Sequence, residues 1–283
     1  MKRSVSVVTF LMFLCFGQAY ALDVTPTGDA SILANTILGS GISISNISYT
    51  GGANASGTFS NGLSSGLGID AGIVLTSGSA SNAAGPNTAD NTTTDNGLSG
   101  DSALNSLIPG YSTYDATILE FDFESAGGNL FFNYVFASEE YNEWVGSAYN
   151  DVFGFFLDGV NVALIPGTST PVAINNVNSG SNSAYYNNND YGDFGGAPPY
   201  NLEYDGFTTL LTASVLGLEA GIHTMKLAIA DAGDYILDSA VFIQAGSFSD
   251  VPTNPDPIPE PSTWLLLGSG LAGLALYRRR HKK

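Results

Sequence analysis

Residues 117–124 read TILEFDFE, and this stretch decides the fold class. Leu119, Phe121 and Phe123 fall on one face, and Glu120, Asp122 and Glu124 on the other. A period of two with one wet face marks a half-buried strand. Just downstream, 129–137 read NLFFNYVFA, an aromatic-rich run that predicts a central strand. Then VFGFFL (152–157) leads into Asp158-Gly159 and a second apolar run at 160–165. Asp-Gly between apolar runs predicts a hairpin. Further strands are predicted at 72–76, 207–215, 222–230 and 239–246. Helical spacing is confined to a short stretch at 30–38. Many strands joined by Gly and Asn turns predict an all-β body, a two-sheet β-sandwich of jelly-roll-like type with short or no helices. The Asn-, Tyr- and Gly-rich stretch 175–204 reads as a long surface excursion.

Composition narrows the function classes. The chain has 283 residues and a net charge of −18, yet only 12% of residues are charged. Lys226 is the only Lys or Arg between Arg3 and Arg278. A body this acidic cannot neutralise phosphates, so nucleic acid is not an expected partner. Cations, and polymers bridged by cations, suit it better. Hydrophobic residues at 44% and aromatics at 11% are enough for a packed core, which argues against disorder. The only cysteine, Cys15, lies in the leader, so the mature body has no disulfide and no thiolate metal site.

The two ends read as targeting segments. Residues 1–21 combine Lys2 and Arg3, an apolar run and Ala19-Tyr20-Ala21, the pattern of a signal peptide with a cleavage site. The body spans 22–248, and a Pro-rich linker follows at 249–258. In 259–283, Pro259-Glu260-Pro261 precedes an apolar run at 264–277 and the basic cluster Arg278-Arg279-Arg280. At 1.5 Å per residue the run covers roughly 21 Å of a hydrocarbon core of roughly 30 Å. Such a marginal segment suits transient insertion with the basic cluster left cytoplasmic. A plain single-span anchor is the alternative.

In order and spacing, 259–283 resembles the PEP-CTERM sorting signal of Gram-negative bacteria. That resemblance implies recognition by exosortase, a membrane enzyme, and association with extracellular polysaccharide and biofilm. The body also carries a family pattern. Tyr134 to Tyr141 (YVFASEEY), Asn150 to Phe156 (NDVFGFF) and Asp231 to Ala240 (DAGDYILDSA) resemble the choice-of-anchor L domain. This implies a surface location and leaves the biochemistry open.

Catalytic groups are scarce in the body. Its one histidine, His223, sits on a predicted strand with no Gly-x-Ser-x-Gly elbow, so a structural role is expected. Zinc ligands, phosphate loops and dinucleotide fingerprints are missing from the sequence. Carboxylates remain. Glu139, Glu140 and Glu143 follow the aromatic strand, Asp151 begins the next, and Asp231, Asp234 and Asp238 lie between two late strands. Glu139, Glu140, Asp151, Asp231, Asp234 and Asp238 are therefore the candidate Ca²⁺ ligands, since Ca²⁺ takes six to eight oxygens. The competing reading is that these acids cap turns and solvate loop ends.

The expected function is non-enzymatic. The chain would be exported, pass the inner membrane, be processed by exosortase and reside at the cell surface or in the extracellular matrix with polysaccharide or surface proteins as partners. The alternative is a carbohydrate-binding module or carbohydrate-active enzyme using Glu139 and Asp151. Trp144, Tyr185, Tyr186, Tyr191 and Tyr200 would then stack on sugars, although loop packing explains them as well.

Overall fold

A computed structural model describes residues 21–253. The predicted signal helix and C-terminal hydrophobic helix lie outside the described residues. The strands are β1 (Asp23–Pro26), β2 (Ser43–Thr50), β3 (Ser56–Ser60), β4 (Gly72–Thr76), β5 (Thr113–Ser138) and β6 (Val152–Leu157). Then come β7 (Val160–Asn161), β8 (Tyr186–Asn188), β9 (Gly206–Thr208), β10 (Leu211–Ala232) and β11 (Ser239–Gln244). Three short helices interrupt them: α1 (Ala30–Ile37), α2 (Gly62–Ser65) and α3 (Ser102–Leu107). The body is all-β, and every strand pairing is antiparallel.

The frame is one long ribbon. β5 and β10 pair from Tyr134↔Leu211 at one end to Thr113↔Ala232 at the other. The register slips between Leu216 and Leu218. Gly217 has φ +72°, and across the ribbon Gly127 and Gly128 have φ +91° and +127°. Glycine in this left-handed region permits a bulge, and a bulge bends the strand and raises its twist.

Beyond that bend the ribbon feeds two different layers. In one, β5 before the bend lies between β2 and β10, and β10 continues to β6 and β7. In the other, β5 after the bend pairs with β11, which leads through β4 and β3 to β1. The layers face each other. Phe132 and Tyr134 of β5 meet Phe155 of β6 at ring-centroid distances of 4.8 and 5.1 Å, and Phe136 stacks on Phe153 at 5.2 Å. Edge-to-face and offset aromatic pairs of this kind add about 0.5–1.5 kcal/mol each beyond area burial.

The alternation in 117–124 appears as read: Leu119, Phe121 and Phe123 are buried in the central core. From Phe132 to Ala137 the next stretch is buried on both faces. Leu130, Phe132, Tyr134 and Phe136 enter the central core, while Val135 and Ala137 enter a second one with Phe59, Leu202, Tyr204, Phe207 and Phe242. That second core lies under part of the 175–204 excursion, so the excursion is only partly a surface feature. Asn178, Asn189 and Asp190 within it are buried, and 186–188 form β8. A third core beneath α3 gathers Leu104, Val152, Phe156 and Ala228.

The Asp-Gly hairpin forms as predicted. Asp158 and Gly159 both take positive φ, +48° and +83°, as a two-residue turn between β6 and β7 requires. The predicted helix at 30–38 is α1, capped by the Asp29 carboxylate accepting from the Ser31 and Ile32 amides. No helix among the described residues is long and apolar enough to cross a membrane.

Candidate functional site

Carboxylates collect at one end of the sandwich because several strand ends meet there. Glu139 and Glu140 follow β5, Asp151 precedes β6, Asp231 lies near the end of β10, and Asp238 precedes β11. The reading that competes with Ca²⁺ ligation placed these acids at solvated loop ends. The structure corrects that: all five are 1% exposed or less. Asp234 alone among the six candidates is half-buried, its carboxylate accepting the Ile236 amide.

The buried acids divide into two kinds. Asp151 and Asp238 are fully used by protein donors. Asp151 accepts the Ala232 amide at 2.8 Å and the Ser239 hydroxyl at 2.7 Å. Asp238 accepts the Thr94 amide at 3.0 Å, with Thr93 and Asn82 at 3.3 and 3.4 Å. These bonds pin the 82–94 segment to the strand ends. By contrast, both oxygens of Glu139, both of Asp231 and Oε2 of Glu140 have no hydrogen-bond partner. The Thr92 backbone approaches Glu139, and the Ser77 side chain approaches Asp231, without completing a bond of normal geometry.

Burial therefore dominates the electrostatics. It pushes Glu140 up to about 10, with the neighbouring Asp151 and Asp234 charges adding to the effect. It pushes Asp151 up to about 8 against its hydrogen bonds to Ser239 and Ala232. Asp238 rises to about 6, again by burial, countered by its donors. Glu139 and Asp231 rise well above the ordinary range, first by burial and then through neighbouring carboxylates. Among the described residues the cationic side chains are engaged elsewhere. Lys226 Nζ sits 2.6 Å from Asp101, and His223 Nδ1 lies 2.7 Å from Asp158.

A second set of acids lies beside this belt, and the sequence reading missed it. Asp90, Asp190 and Asp205 each place one carboxylate oxygen within 4.8 Å of the others. Asp190 and Asp205 are 1% and 0% exposed, while Asp90 is open to solvent. Each has one oxygen held by the protein: Asp90 by the Gly192 amide, Asp190 by the Asp193 amide, Asp205 by Asn87 Nδ2. Oδ2 of both Asp190 and Asp205 is buried without a partner. Burial, then the charges of Asp190, Asp90 and Glu143, push Asp205 up to about 8 against its bond from Asn87. The runs TADNTTTDNG (88–97) and NNNDYGD (187–193) were the available signal. They read as turns, because Asn, Asp and Gly are also the residues of turns.

The aromatic candidates are mostly packers. Tyr186 donates its hydroxyl to Asn142 at 2.6 Å, and Tyr200 packs edge-on to Phe207 at 4.9 Å. Tyr185 packs against the central core, and Tyr191 is half-buried. Trp144 remains 42% exposed beside Tyr149.

A β-sandwich followed by a Pro-rich segment, an apolar run and a basic cluster is the build of an exported surface protein. The chain belongs to the choice-of-anchor L domain family, whose model matches residues 23–249. Residues 257–280 match the PEP-CTERM protein-sorting motif, so the chain is exported to the cell surface of a Gram-negative bacterium and handled by exosortase. No curated protein and no solved structure matches it.

Proposed function

We propose that this protein passes the inner membrane, loses its tail to the exosortase-type enzyme, and then acts as a non-catalytic component of the cell surface or polysaccharide matrix, stabilised by Ca²⁺. The observation that carries the reading is the belt of buried carboxylates, five of them 1% exposed or less, with no cationic side chain of the described residues turned toward it. Buried charge is costly unless paired or metal-bound, and a divalent cation supplies the missing positive charge. An outer matrix of anionic polymer bridged by Ca²⁺ gives such a protein both its ion and its neighbours.

The burial also supports a non-catalytic role. A glycosidase needs two carboxyl groups flanking a sugar bond, open to the polymer. Glu139 and Asp151 are enclosed, and both oxygens of Asp151 are engaged by Ala232 and Ser239. The test is fractionation of cells producing the full chain. The protein should remain with the polysaccharide fraction in millimolar Ca²⁺ and leave it on chelation. A variant with Pro259, Glu260 and Pro261 replaced by alanine should stay in the membrane fraction. Release that ignores chelation removes the calcium-held matrix role, and polysaccharide turnover lost in Glu139→Gln establishes an enzyme instead.

A further inference from the structure

We propose that Asp90, Asp190 and Asp205 form a binding centre for one hard divalent cation, of the Ca²⁺ class, that clips the 85–98 segment and the 186–205 excursion onto the sandwich. This deepens the calcium part of the proposed function, and it stands whether or not the protein resides in a polysaccharide matrix.

The geometry comes first. Two oxygens bound to one Ca²⁺ at about 2.4 Å can lie no more than about 4.8 Å apart. The oxygens offered by Asp90, Asp190 and Asp205 meet that condition pair by pair. They come from three places in the chain and converge only in the fold. Asp90 lies in the segment after Gly85, Asp190 follows β8, and Asp205 precedes β9.

The second observation is independent of the cluster's acidity. Oδ2 of Asp190 and Oδ2 of Asp205 are buried in residues 1% and 0% exposed, and neither has a hydrogen-bond partner. A buried acceptor without a donor costs about 1–3 kcal/mol, and more when charged. A cation relieves two such atoms at once.

The frame around the oxygens is already fixed. Asn87 donates to both the Asn189 carbonyl, at 3.0 Å, and Asp205 Oδ1, at 2.6 Å. The Gly192 amide holds Asp90 Oδ1 at 3.0 Å, and the Asp193 amide holds Asp190 Oδ1 at 2.6 Å. Each bond fixes one oxygen of its carboxylate and leaves the other without a protein donor, as preorganisation demands. A β-carbon on Gly192 would stand 3.3 Å from an oxygen of both Asp90 and Asp190, so the chain passes close to the centre there. Glu143, largely open to solvent, faces the same acids: partial burial, then the Asp190 and Asp90 charges and a carboxyl–carboxyl contact with Asp190, raise its pKa, so its approach supplies Asp190 with a second acceptor and no donor. Glu143 and water would complete an all-oxygen shell around a bound ion. Oxygen donors with no His or Cys favour Ca²⁺ over transition metals.

The test is calorimetric titration of Ca²⁺ into the chelator-stripped full chain in mild detergent, with protease cleavage in 186–205 as a second readout. Ca²⁺ should bind at this centre and slow that cleavage. Binding should weaken at least about tenfold in Asp190→Asn and in Asp90→Asn, since losing a ligand costs no less than losing its supporting partner. Asp90 is exposed, so Asp90→Asn tests the centre even where Asp190→Asn fails to fold. Asp231→Asn and Asp234→Asn, which alter only the belt, should leave the affinity of this centre unchanged. Ca²⁺ binding lost in these two and kept in Asp90→Asn and Asp190→Asn would place the ion in the belt, overturning this centre while leaving a calcium-stabilised protein. No binding at millimolar Ca²⁺ would overturn both.

Discussion

Asp151 accepts the Ser239 hydroxyl at 2.7 Å, and this buried bond joins the two layers of the sandwich. Asp151 immediately precedes β6 in one layer and Ser239 opens β11 in the other. The other Asp151 oxygen takes the Ala232 amide at the end of β10, so one carboxylate ties three strand ends. Asp151→Ala leaves two buried donors unpaired, each costing about 1–3 kcal/mol. The expected loss is ~2–4 kcal/mol in a urea melt, with Ser239→Ala costing less. Equal, small losses in both would reduce the carboxylate to a filler.

The raised carboxyl groups set a pH dependence of unusual sign. Asp151 and Asp205 at about 8, and Glu140 at about 10, hold protons in the folded state that the unfolded chain releases near 4. The folded state then binds more protons than the unfolded one, so stability falls as pH rises through that interval. Chelator-treated protein should melt at a higher temperature at pH 5 than at pH 8, and Ca²⁺ should shrink the difference. His223, raised by its bond to Asp158, loses its contribution as pH climbs through its folded value, which is the same direction. It is the one histidine among the described residues, and repeating the series in His223→Asn separates the two sources. A flat profile in that variant would contradict the burial argument.

Gly78 leaves room for Asp238. A β-carbon built there would lie 1.7 Å from Asp238 Oδ2. That carboxylate cannot simply turn away, because the Thr94 amide and the Asn82 side chain hold it. Gly78→Ala should destabilise by about 1–3 kcal/mol, the usual cost of overpacking. Adding Asp238→Ala should recover part of that loss. Independent, additive effects in the double variant would show that the two residues do not compete for space.

The β6–β7 turn depends on its glycine. Gly159 at φ +83° follows Asp158 at φ +48°, so the turn holds two left-handed residues in a row. Gly159→Val places a β-branched residue where the left-handed region costs roughly 1–2 kcal/mol even for ordinary side chains. Thermal melts of Gly159→Val and Gly159→Asn should differ, with asparagine close to wild type. Identical melts would mean that the turn relaxes to another type.

Much of the fold was legible because its signals are local. Period-two burial in Leu119, Phe121 and Phe123, the Asp158-Gly159 turn and the Asp29 cap each depend on a few neighbouring residues. The union of 117–124 and 129–137 into the single strand β5 was not legible. Ser125 to Gly128 reads as a break, and only pairing with β10 keeps the strand continuous through it. The belt residues were nameable from their acidity, but their burial was not. Hydrophilic side chains at strand ends normally face water.

The sequence by itself determined the strand character of the body, its acidity with a single lysine to offset it, and the tail motif that marks it for sorting. These follow from side-chain type and spacing along the chain. Only the tertiary structure decided which halves of β5 and β10 face each other, that Glu139 and Asp231 lose their contact with water, and that Asp90, Asp190 and Asp205 meet. The physical reason is that convergence of residues distant in sequence depends on strand register, on the glycine bend of the ribbon and on how loops close over a core. None of these leaves a local periodic trace.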